Sequence, residues 1–366
     1  MRKIFLKPLS WIFSIITHIR NFMFDYNIIK SKEYPQPIIS IGNITVGGTG
    51  KTPHTEYLIE LLKERFKIAT LSRGYKRKSK GYLEVHSQST VSDVGDEPLQ
   101  MKTKYSDITV CVDEKRVHGI DTLLSYEENE RPEVILLDDA FQHRYVTPGL
   151  NILLTDYNKL ITRDDILPYG RLRESANERY RAQIIIVTKC PEYIKPIEER
   201  LIIKELDIKP FQNLFFTTFK YADLQPVLNN AHTPIENLEG RDIILFTGIA
   251  NPKPLVEYLE KQGAWVNSIK FPDHYQFKTS DMLQITQVFE TLSEKSPIIL
   301  TTEKDLMRIK DIDDLPEVIK NNLFTIPLKV TFIGENKDYF DKKILRYVSE
   351  NKSNFTISSR QNKSQD

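Results

Sequence analysis

Apolar residues in this chain fall into short runs, separated by longer stretches whose apolar positions return every three or four residues. That alternation predicts strands followed by helices. The clearest instance is 37–66, PIISIGNITVGGTGKTPHTEYLIELLKERF. Ile38, Ile39 and Ile41 form a β-branched run, a glycine-rich turn follows, and Tyr57, Leu58, Leu61, Leu62 and Phe66 recur at helical spacing. Further apolar runs lie at 68–71, 108–112, 134–137, 152–154 and 184–187. Runs apolar on both faces that alternate with helices predict a parallel sheet covered on both sides. Near 207–237 the pattern loosens, with Pro210, Pro226 and Pro234 among polar residues, and a domain join is expected there. A second α/β block follows, with strands expected at 243–246, 298–300 and 323–326 and a helix at 254–262. No internal repeat is present.

The first 34 residues carry a different pattern. Phe5, Leu9, Ile12, Ile16, Ile19 and Met23 recur at helical spacing, while Lys7, Ser10, Ser14, Thr17 and Asn21 line a polar stripe. Arg2, Lys3 and Lys7 precede the apolar stretch as in a signal peptide, but no small-residue cleavage site follows. The longest run without formal charge, 8–19, has 12 residues. Spanning a bilayer takes about 20, so this helix does not span. With Trp11 and flanking basic residues it fits a membrane interface, though the pattern alone equally allows burial against the protein.

Composition narrows the class. At 366 residues the chain is long for one core, which favours two domains. With 40% hydrophobic and 28% charged residues it reads as globular, and a net charge of +1 gives no global field to draw it to nucleic acid. Cys111 and Cys190 lie in or beside expected strands without metal-ligand spacing, and both read as structural.

The chemistry begins in the turn at 45–52. Thr45, Val46, Gly47, Gly48, Thr49, Gly50, Lys51 and Thr52 approach the phosphate-loop pattern G-x-x-x-x-G-K-[ST], with Thr45 in place of the first glycine. Glycines let backbone N–H groups turn onto a phosphate, and the helix that follows adds the positive end of its dipole. Lys51 is then the residue that reaches the β- and γ-phosphates, Thr52 the one that holds Mg²⁺, and Pro53 suits the first helical turn. The apolar run 134–137 ends in Asp138 and Asp139, the companion such a loop needs. Asp138 is the expected metal ligand, and Asp139 is left free to orient other groups. Gln142 and His143 lie near the same strand tip.

Absent features narrow the nucleotide. Partitioning-type ATPases carry a second lysine before the paired glycines, where this chain has Val46, and no guanine-reading aspartate follows Thr188-Lys189-Cys190-Pro191. Adenine nucleotide is favoured by elimination. The expected organisation is a membrane-surface amphipathic helix at 1–34, a P-loop NTPase-type parallel-sheet domain at 35–225, a smaller α/β domain closing over the cleft at 226–349, and a polar disordered tail at 350–366.

The motif series is specific. Gly42-Asn43 leads into Val46-Gly47-Gly48-Thr49-Gly50-Lys51-Thr52-Pro53. Then come Leu71-Ser72-Arg73-Gly74-Tyr75, Gly95-Asp96-Glu97-Pro98, Asp138-Asp139-Ala140-Phe141-Gln142-His143 and Pro168-Tyr169-Gly170-Arg171-Leu172-Arg173-Glu174, and finally Phe271-Pro272-Asp273-His274 and Thr302-Glu303-Lys304-Asp305. In this order the series resembles tetraacyldisaccharide 4'-kinases over nearly the whole chain. The resemblance implies ATP-dependent phosphorylation of the 4'-hydroxyl of a tetraacylated glucosamine disaccharide phosphate on the way to lipid A. It also implies a peripheral enzyme on the cytoplasmic face of the bacterial inner membrane, with its N-terminal helix on the lipid and no obligate protein partner. Finally, it implies that Asp96 acts as base and that His274 orients it or shares its charge; independently of the resemblance, Asp139 is the fallback base should Asp96 prove dispensable.

Among the remaining motif residues, Arg73, Arg116, Arg171 and Arg173 are candidate phosphate ligands, because guanidinium pairs bidentately with phosphate oxygens. Tyr75, Gln142, His143 and Glu174 complete the expected substrate contacts, Lys189 is a further candidate, and Lys304 and Asp305 are expected to pair with each other. The rival from another class is a P-loop ATPase switch whose hydrolysis drives partner binding at the membrane. A third reading is a nucleotide-binding module without turnover.

Overall fold

The computed structural model describes residues 2–228, 231–292 and 297–363; of the expected domain join, 229 and 230 lie outside them. The chain forms strands β1 (Ile38–Gly42), β2 (Ile68–Ser72), β3 (Leu83–Glu84), β4 (Thr109–Val112), β5 (Val134–Asp138), β6 (Leu150–Asp156), β7 (Ile184–Thr188) and β8 (Asn213–Tyr221). Next come β9 (Gln225–Pro226), β10 (Asp242–Thr247), β11 (Trp265–Lys270), β12 (Ile298–Thr302), β13 (Leu323–Ile326) and β14 (Leu328–Phe332). The helices are α1 (Arg2–Asp25), α2 (Lys51–Leu62), α3 (Val91–Val94), α4 (Asp96–Lys104), α5 (Arg116–Leu124) and α6 (Pro196–Leu206). After them run α7 (Lys253–Lys261), α8 (Thr279–Thr291), α9 (Glu303–Ile309), α10 (Glu317–Asn322) and α11 (Lys337–Lys363).

Nine strands make the large sheet in the order β14-β8-β7-β6-β1-β5-β2-β4-β3, parallel except at its two edges. Strands β1, β5 and β7 are buried at every position, as apolar-on-both-faces runs require. The chain adds strands on one side of β1 and then on the other, so the order reverses beside β1, and loops after β1 and β5 meet where open α/β sheets bind ligands. The small sheet has the order β11-β10-β12-β13-β9. The α/β class and the two sheets agree with the sequence reading.

The boundary of the smaller unit differs from expectation. The chain crosses between the sheets twice, at 222–224 and at Pro327, and the two crossings are side by side, joined by a hydrogen bond from Ala222 N–H to the Pro327 carbonyl (3.0 Å). β14 then pairs antiparallel with β8, so 328–349 belongs to the large sheet and not to the smaller domain expected at 226–349. Packing explains the return. Phe340 is 2% exposed and lies 4.8 Å from Phe332 and 5.1 Å from Phe215, ring to ring. Tyr347 bonds both main-chain groups of Ile38 on β1, accepting from N–H at 3.2 Å and donating to the carbonyl at 3.0 Å. The expected disordered tail is also corrected: α11 continues to Lys363, with no glycine or proline to stop it, and 364–366 lie outside the described residues.

Helix α1 packs with its polar stripe inward. Ser10 and Asn21 are buried, whereas Leu9, Trp11, Ile12, Ile15, Ile16 and Ile19 are exposed; the side chain of Phe5 lies outside the described residues. Ser10 Oγ accepts the Tyr169 N–H (2.9 Å), Asn21 donates to Glu174 (3.3 Å), and Arg144 binds the Asn21 carbonyl (3.0 Å) and Asp25 (2.6 Å). Burial of the apolar face against the protein is therefore excluded.

The return of α11 yields a test. Phe340→Ala removes a ring filling the core beneath β8 and β14, and should lower unfolding stability by about 3 to 5 kcal/mol. Equilibrium denaturation measures this; a loss below about 1 kcal/mol contradicts the placement of α11 on the large sheet.

Candidate active site

The phosphate loop leaves β1 and enters α2 through Gly50, whose backbone is left-handed (φ 89°, ψ 30°). A Cβ there would sit 2.3 Å from Cζ of Phe219 on β8, so only glycine fits. Donors outside the loop draw its carbonyls outward. Arg173 Nε binds the Thr45 carbonyl (3.1 Å), Asn43 that of Gly47 (3.4 Å), Lys189 that of Gly48, Thr188 that of Thr49 (2.8 Å), and His54 Nδ1 that of Gly50 (2.7 Å). Among the described residues, the N–H groups of 47–50 have no such partner. With carbonyls turned out and N–H groups free at a helix N-terminus, the loop is an anion cradle.

His54 is a support that sequence reasoning missed. Burial pushes its imidazole down to about 4, so it is neutral: Nδ1–H donates to Gly50 and Nε2 accepts from Thr217 on β8 (3.1 Å). It stands three residues after Lys51 on the helix, and nothing in its spacing marks it.

Strand β5 delivers the two carboxylates beside this cradle. Asp138 is buried and accepts from Thr55 (3.2 Å); burial, then the charges of Glu97 and Asp139, push its carboxyl up to about 7. Asp139 sits at φ 47°, an uncommon value for a non-glycine residue, which turns its side chain back toward Lys51 Nζ (3.6 Å) and Arg173 (3.4 Å). Its Oδ1 is buried without a hydrogen-bond donor. An excess of buried carboxylate next to a helix-start hydroxyl at Thr52 suits a hard cation. Among the described residues no group of three or more His, Cys, Asp or Glu could hold a metal alone. That donor set fits Mg²⁺, which usually takes one or two carboxylates and completes its shell with phosphate oxygens and water.

The other expected contacts divide by packing. Arg173 is a hub, bonding Thr45, Asn43 (2.9 Å), Gln142 (3.2 Å) and Asp139. Gln142 in turn donates to the Asn43 carbonyl (2.7 Å) and accepts from Arg20 of α1 at its own carbonyl. Arg171 is paired with Asp164 (2.7 Å), and its carbonyl receives the Val46 N–H (2.8 Å). Arg73 is exposed and, among the described residues, makes no hydrogen bond or ion pair. Burial, reinforced by the charges of Arg116, Arg20 and Arg73, pushes His143 down to about 4, so it is neutral. Two expected substrate contacts are taken up by the fold. Arg116 is 2% exposed and donates its two terminal nitrogens to the carbonyls of Asp113 (2.6 Å) and Asp138 (3.3 Å), while its Nε is buried without a hydrogen-bond partner among the described residues. Glu174, 1% exposed, joins Arg181 (2.6 Å) to Asn21 and so anchors α1.

Asp96 and His274, far apart in sequence, meet across the two sheets. Asp96 opens α4 on the large-sheet side; His274 follows β11, at φ 59°, and its Nδ1 is 3.1 Å from Asp96 Oδ2. The exposed ring of Tyr75 stands 5.5 Å from the imidazole. Arg308 of α9 also binds Asp96 Oδ2, and Lys304 lies 3.8 Å from it. The expected pairing of Lys304 with Asp305 is thus corrected. Lys304 reaches across to Asp96 and Glu97 (3.0 Å), while Asp305 holds Arg308 (2.9 Å). Side chains at i and i+1 diverge on a helix, whereas Asp305 and Arg308, three apart, share a face. That i,i+3 spacing was the one signal that could have marked Arg308.

Burial alone would push the Asp96 carboxyl up; the His274 hydrogen bond, Lys304 and Arg308 more than offset this and hold it well below the usual carboxylate range. Glu97, next to Asp96, is near enough to raise the Asp138 carboxyl, and Gln100 of α4 donates to Glu56 of α2 (2.8 Å), so the ionised carboxylate lies on the same side of the sheet as the phosphate cradle and its carboxylate pair.

Comparison with known proteins meets this geometry. The family model described as LpxK, tetraacyldisaccharide-1-P 4'-kinase, matches residues 2–349. A tetraacyldisaccharide 4'-kinase of Bacteroides thetaiotaomicron is 47% identical over 98% of this chain and 96% of its own length, and one of Flavobacterium johnsoniae is 42% identical over 96% and 98%. Among solved structures, LpxK from Aquifex aeolicus in complex with ATP is 30% identical, covers 95% of this chain and 99% of its own, and superposes with a TM-score of 0.73. A match that runs through both sheets and all the motifs around the cleft leaves one assignment: the chain belongs to the tetraacyldisaccharide 4'-kinase family.

Proposed function

We infer that this chain is an ATP-dependent kinase that phosphorylates the 4'-hydroxyl of a tetraacylated glucosamine disaccharide 1-phosphate, a step of lipid A biosynthesis. The observation that carries the mechanism is the meeting of Asp96 with His274 across the two sheets, since a switch that only hydrolyses ATP has no need of a second sheet to supply it. Phosphoryl transfer asks mainly for positioning and charge neutralisation. Loop N–H groups and Lys51 hold the β- and γ-phosphates, Lys51 being steadied by Asp139. Thr52 and Asp138 are the residues that would hold Mg²⁺, which supplies neutralisation between those phosphates when bound. Arg73, exposed and without a hydrogen bond or ion pair among the described residues, is free to bind acceptor or transferred phosphate, and Tyr75, Arg171 and His143 are further candidate contacts. Asp96 accepts the proton of the attacking hydroxyl. Its weak basicity is tolerable because a loose transition state releases that proton late.

The acceptor is a lipid, and α1 supplies a surface for reaching it. No helix among the described residues is long and apolar enough to cross a membrane. The outward apolar face of α1 fits shallow insertion at the cytoplasmic face of the inner membrane, since each buried side chain contributes roughly 1.5 to 3 kcal/mol at most.

The reading is tested with labelled ATP and the lipid acceptor: label should move to lipid, and label released only to water would favour the ATPase switch. In that assay Asp96→Ala should lower kcat by at least about a hundredfold with ATP KM little changed, and adding His274→Ala should cost less than the product of the single losses. Independent, multiplying losses contradict a pair acting as a unit. Ile12→Glu with Ile16→Glu, both exposed, should weaken vesicle binding by at least about tenfold and leave turnover on detergent-dispersed acceptor intact. Unchanged vesicle binding would remove the membrane role from α1.

Asp138 gives a prediction of opposite signs for stability and activity. The folded state holds its proton more tightly than the unfolded state, so this group's contribution to stability falls as pH rises from about 4 to about 7. Asp138→Asn should therefore raise the melting temperature of the nucleotide-free protein at pH 8 while abolishing turnover. A lowered melting temperature at that pH would show that the carboxylate is compensated without metal.

A further inference from the structure

The guanidinium of Arg308 is 99% buried by side chain and is fixed from its own side before it reaches the cleft. NH1 donates to Asp305 Oδ1 (2.9 Å) and to the Gly248 carbonyl (3.3 Å). Asp305 is itself immobilised, accepting at Oδ2 from Thr302 Oγ1 (2.8 Å) and from Gly248 N–H (3.1 Å), with no exposed surface. What remains is NH2, which faces across the boundary between the sheets onto Asp96 Oδ2 and lies 3.1 Å from His274 Nδ1. Because guanidinium is planar, fixing one end fixes the direction of the other. The second cation on Asp96, Lys304, is a point charge at 3.8 Å and supplies neutralisation without direction.

We propose that Arg308 is a positioning residue for Asp96, aiming the carboxylate at the acceptor hydroxyl and making that aim conditional on the two sheets being docked. The proposal rests on the reading of Asp96 as base and adds to it the device that sets the base. Among the described residues, Asp96 Oδ1 is held only by the Glu97 N–H (2.9 Å) at the start of its own helix, a local bond that exists whether or not the small sheet is in place. Oδ2 is held by Arg308 and His274, both from the small-sheet side. A displaced small sheet therefore leaves a carboxylate free to turn, and a docked one leaves it with a single orientation. The charged and titratable groups facing Asp96 are His274, Lys304 and Arg308 across the boundary and Glu97 on its own helix, with Asp305 behind Arg308. Removing Arg308 takes away a cation and a direction together, and a brace for the fold would take away neither.

The test is a pair of cycles on the full-length enzyme with lipid acceptor. Arg308→Gln should lower kcat by at least about tenfold with ATP KM changed less than about twofold, and should move the acid limb of the kcat profile to higher pH. Arg308→Lys, which keeps the charge but not the fixed direction, should leave that limb in place yet recover little of kcat. In an Asp96→Asn background, Arg308→Gln should cause no further loss. Should Arg308→Gln not fold, Asp305→Asn serves as the second variant. It leaves Arg308 charged but unanchored, and a smaller kcat loss that vanishes in the Asp96→Asn background is expected. An equal fractional loss in both backgrounds with an unmoved acid limb overturns the proposal and makes Arg308 a fold brace. Near-normal kcat for Asp96→Asn alone overturns the base assignment, and the proposal with it.

Discussion

A buried carboxylate is tolerable only where cations and donors face it, and the site depends on how Asp96 meets that requirement. The residue belongs to the large-sheet unit, at the first turn of α4, yet the cations that neutralise it, Arg308 and Lys304, both come from α9 beside the small sheet. Neither unit completes this cluster alone. The apolar contact between α4 and α9, with Leu99 and Met101 on one side and Leu306 and Met307 on the other, brings the charges together while excluding water from them. The two adjacent crossings, tied by Ala222 and Pro327, limit how the small sheet can move. Docking of the two units and neutralisation of Asp96 are thus one event.

The phosphate loop obeys a related logic. Its glycines permit the turn, but residues outside the loop decide which way it faces: Arg173, Lys189, Thr188 and His54 draw the carbonyls away and leave the N–H groups for an anion. Arg173 links this cradle to Asp139 and Gln142, and Gln142 and Glu174 link it to α1. A helix whose apolar side faces outward is therefore bonded to residues that touch the cradle.

The parts of this arrangement carried by local sequence were legible in advance. The strand-loop-helix around Lys51, the buried runs of β5 and β7, and the carboxylates closing β5 follow from periodicity and composition within short windows. What the sequence hid was long-range. β14 follows β13 with only Pro327 between them, and no local signal says that one strand joins the small sheet and the next the large one. Arg116 and Glu174 read as ligands because charged residues beside motif glycines usually meet solvent; here burial turned them into braces for Asp138 and α1. Polar 350–366 read as disordered, yet α11, anchored in the core by Phe340 and Ile344, runs on into it as far as Lys363. His54 was invisible for a like reason, its partner lying 163 residues away, and Arg308 showed only its i,i+3 spacing from Asp305, since Asp96 lies 212 residues away.

With both substrates bound, the acceptor hydroxyl is expected against Asp96, on the side away from Oδ1's bond to Glu97. A structure with Mg²⁺, a non-hydrolysable ATP analogue and the lipid disaccharide measures this directly. The 4'-oxygen is expected within about 2.6 to 3.2 Å of an Asp96 carboxylate oxygen, with Arg308 still on Asp96. A 4'-oxygen placed instead against Asp139, with Asp96 out of hydrogen-bond reach, contradicts that placement.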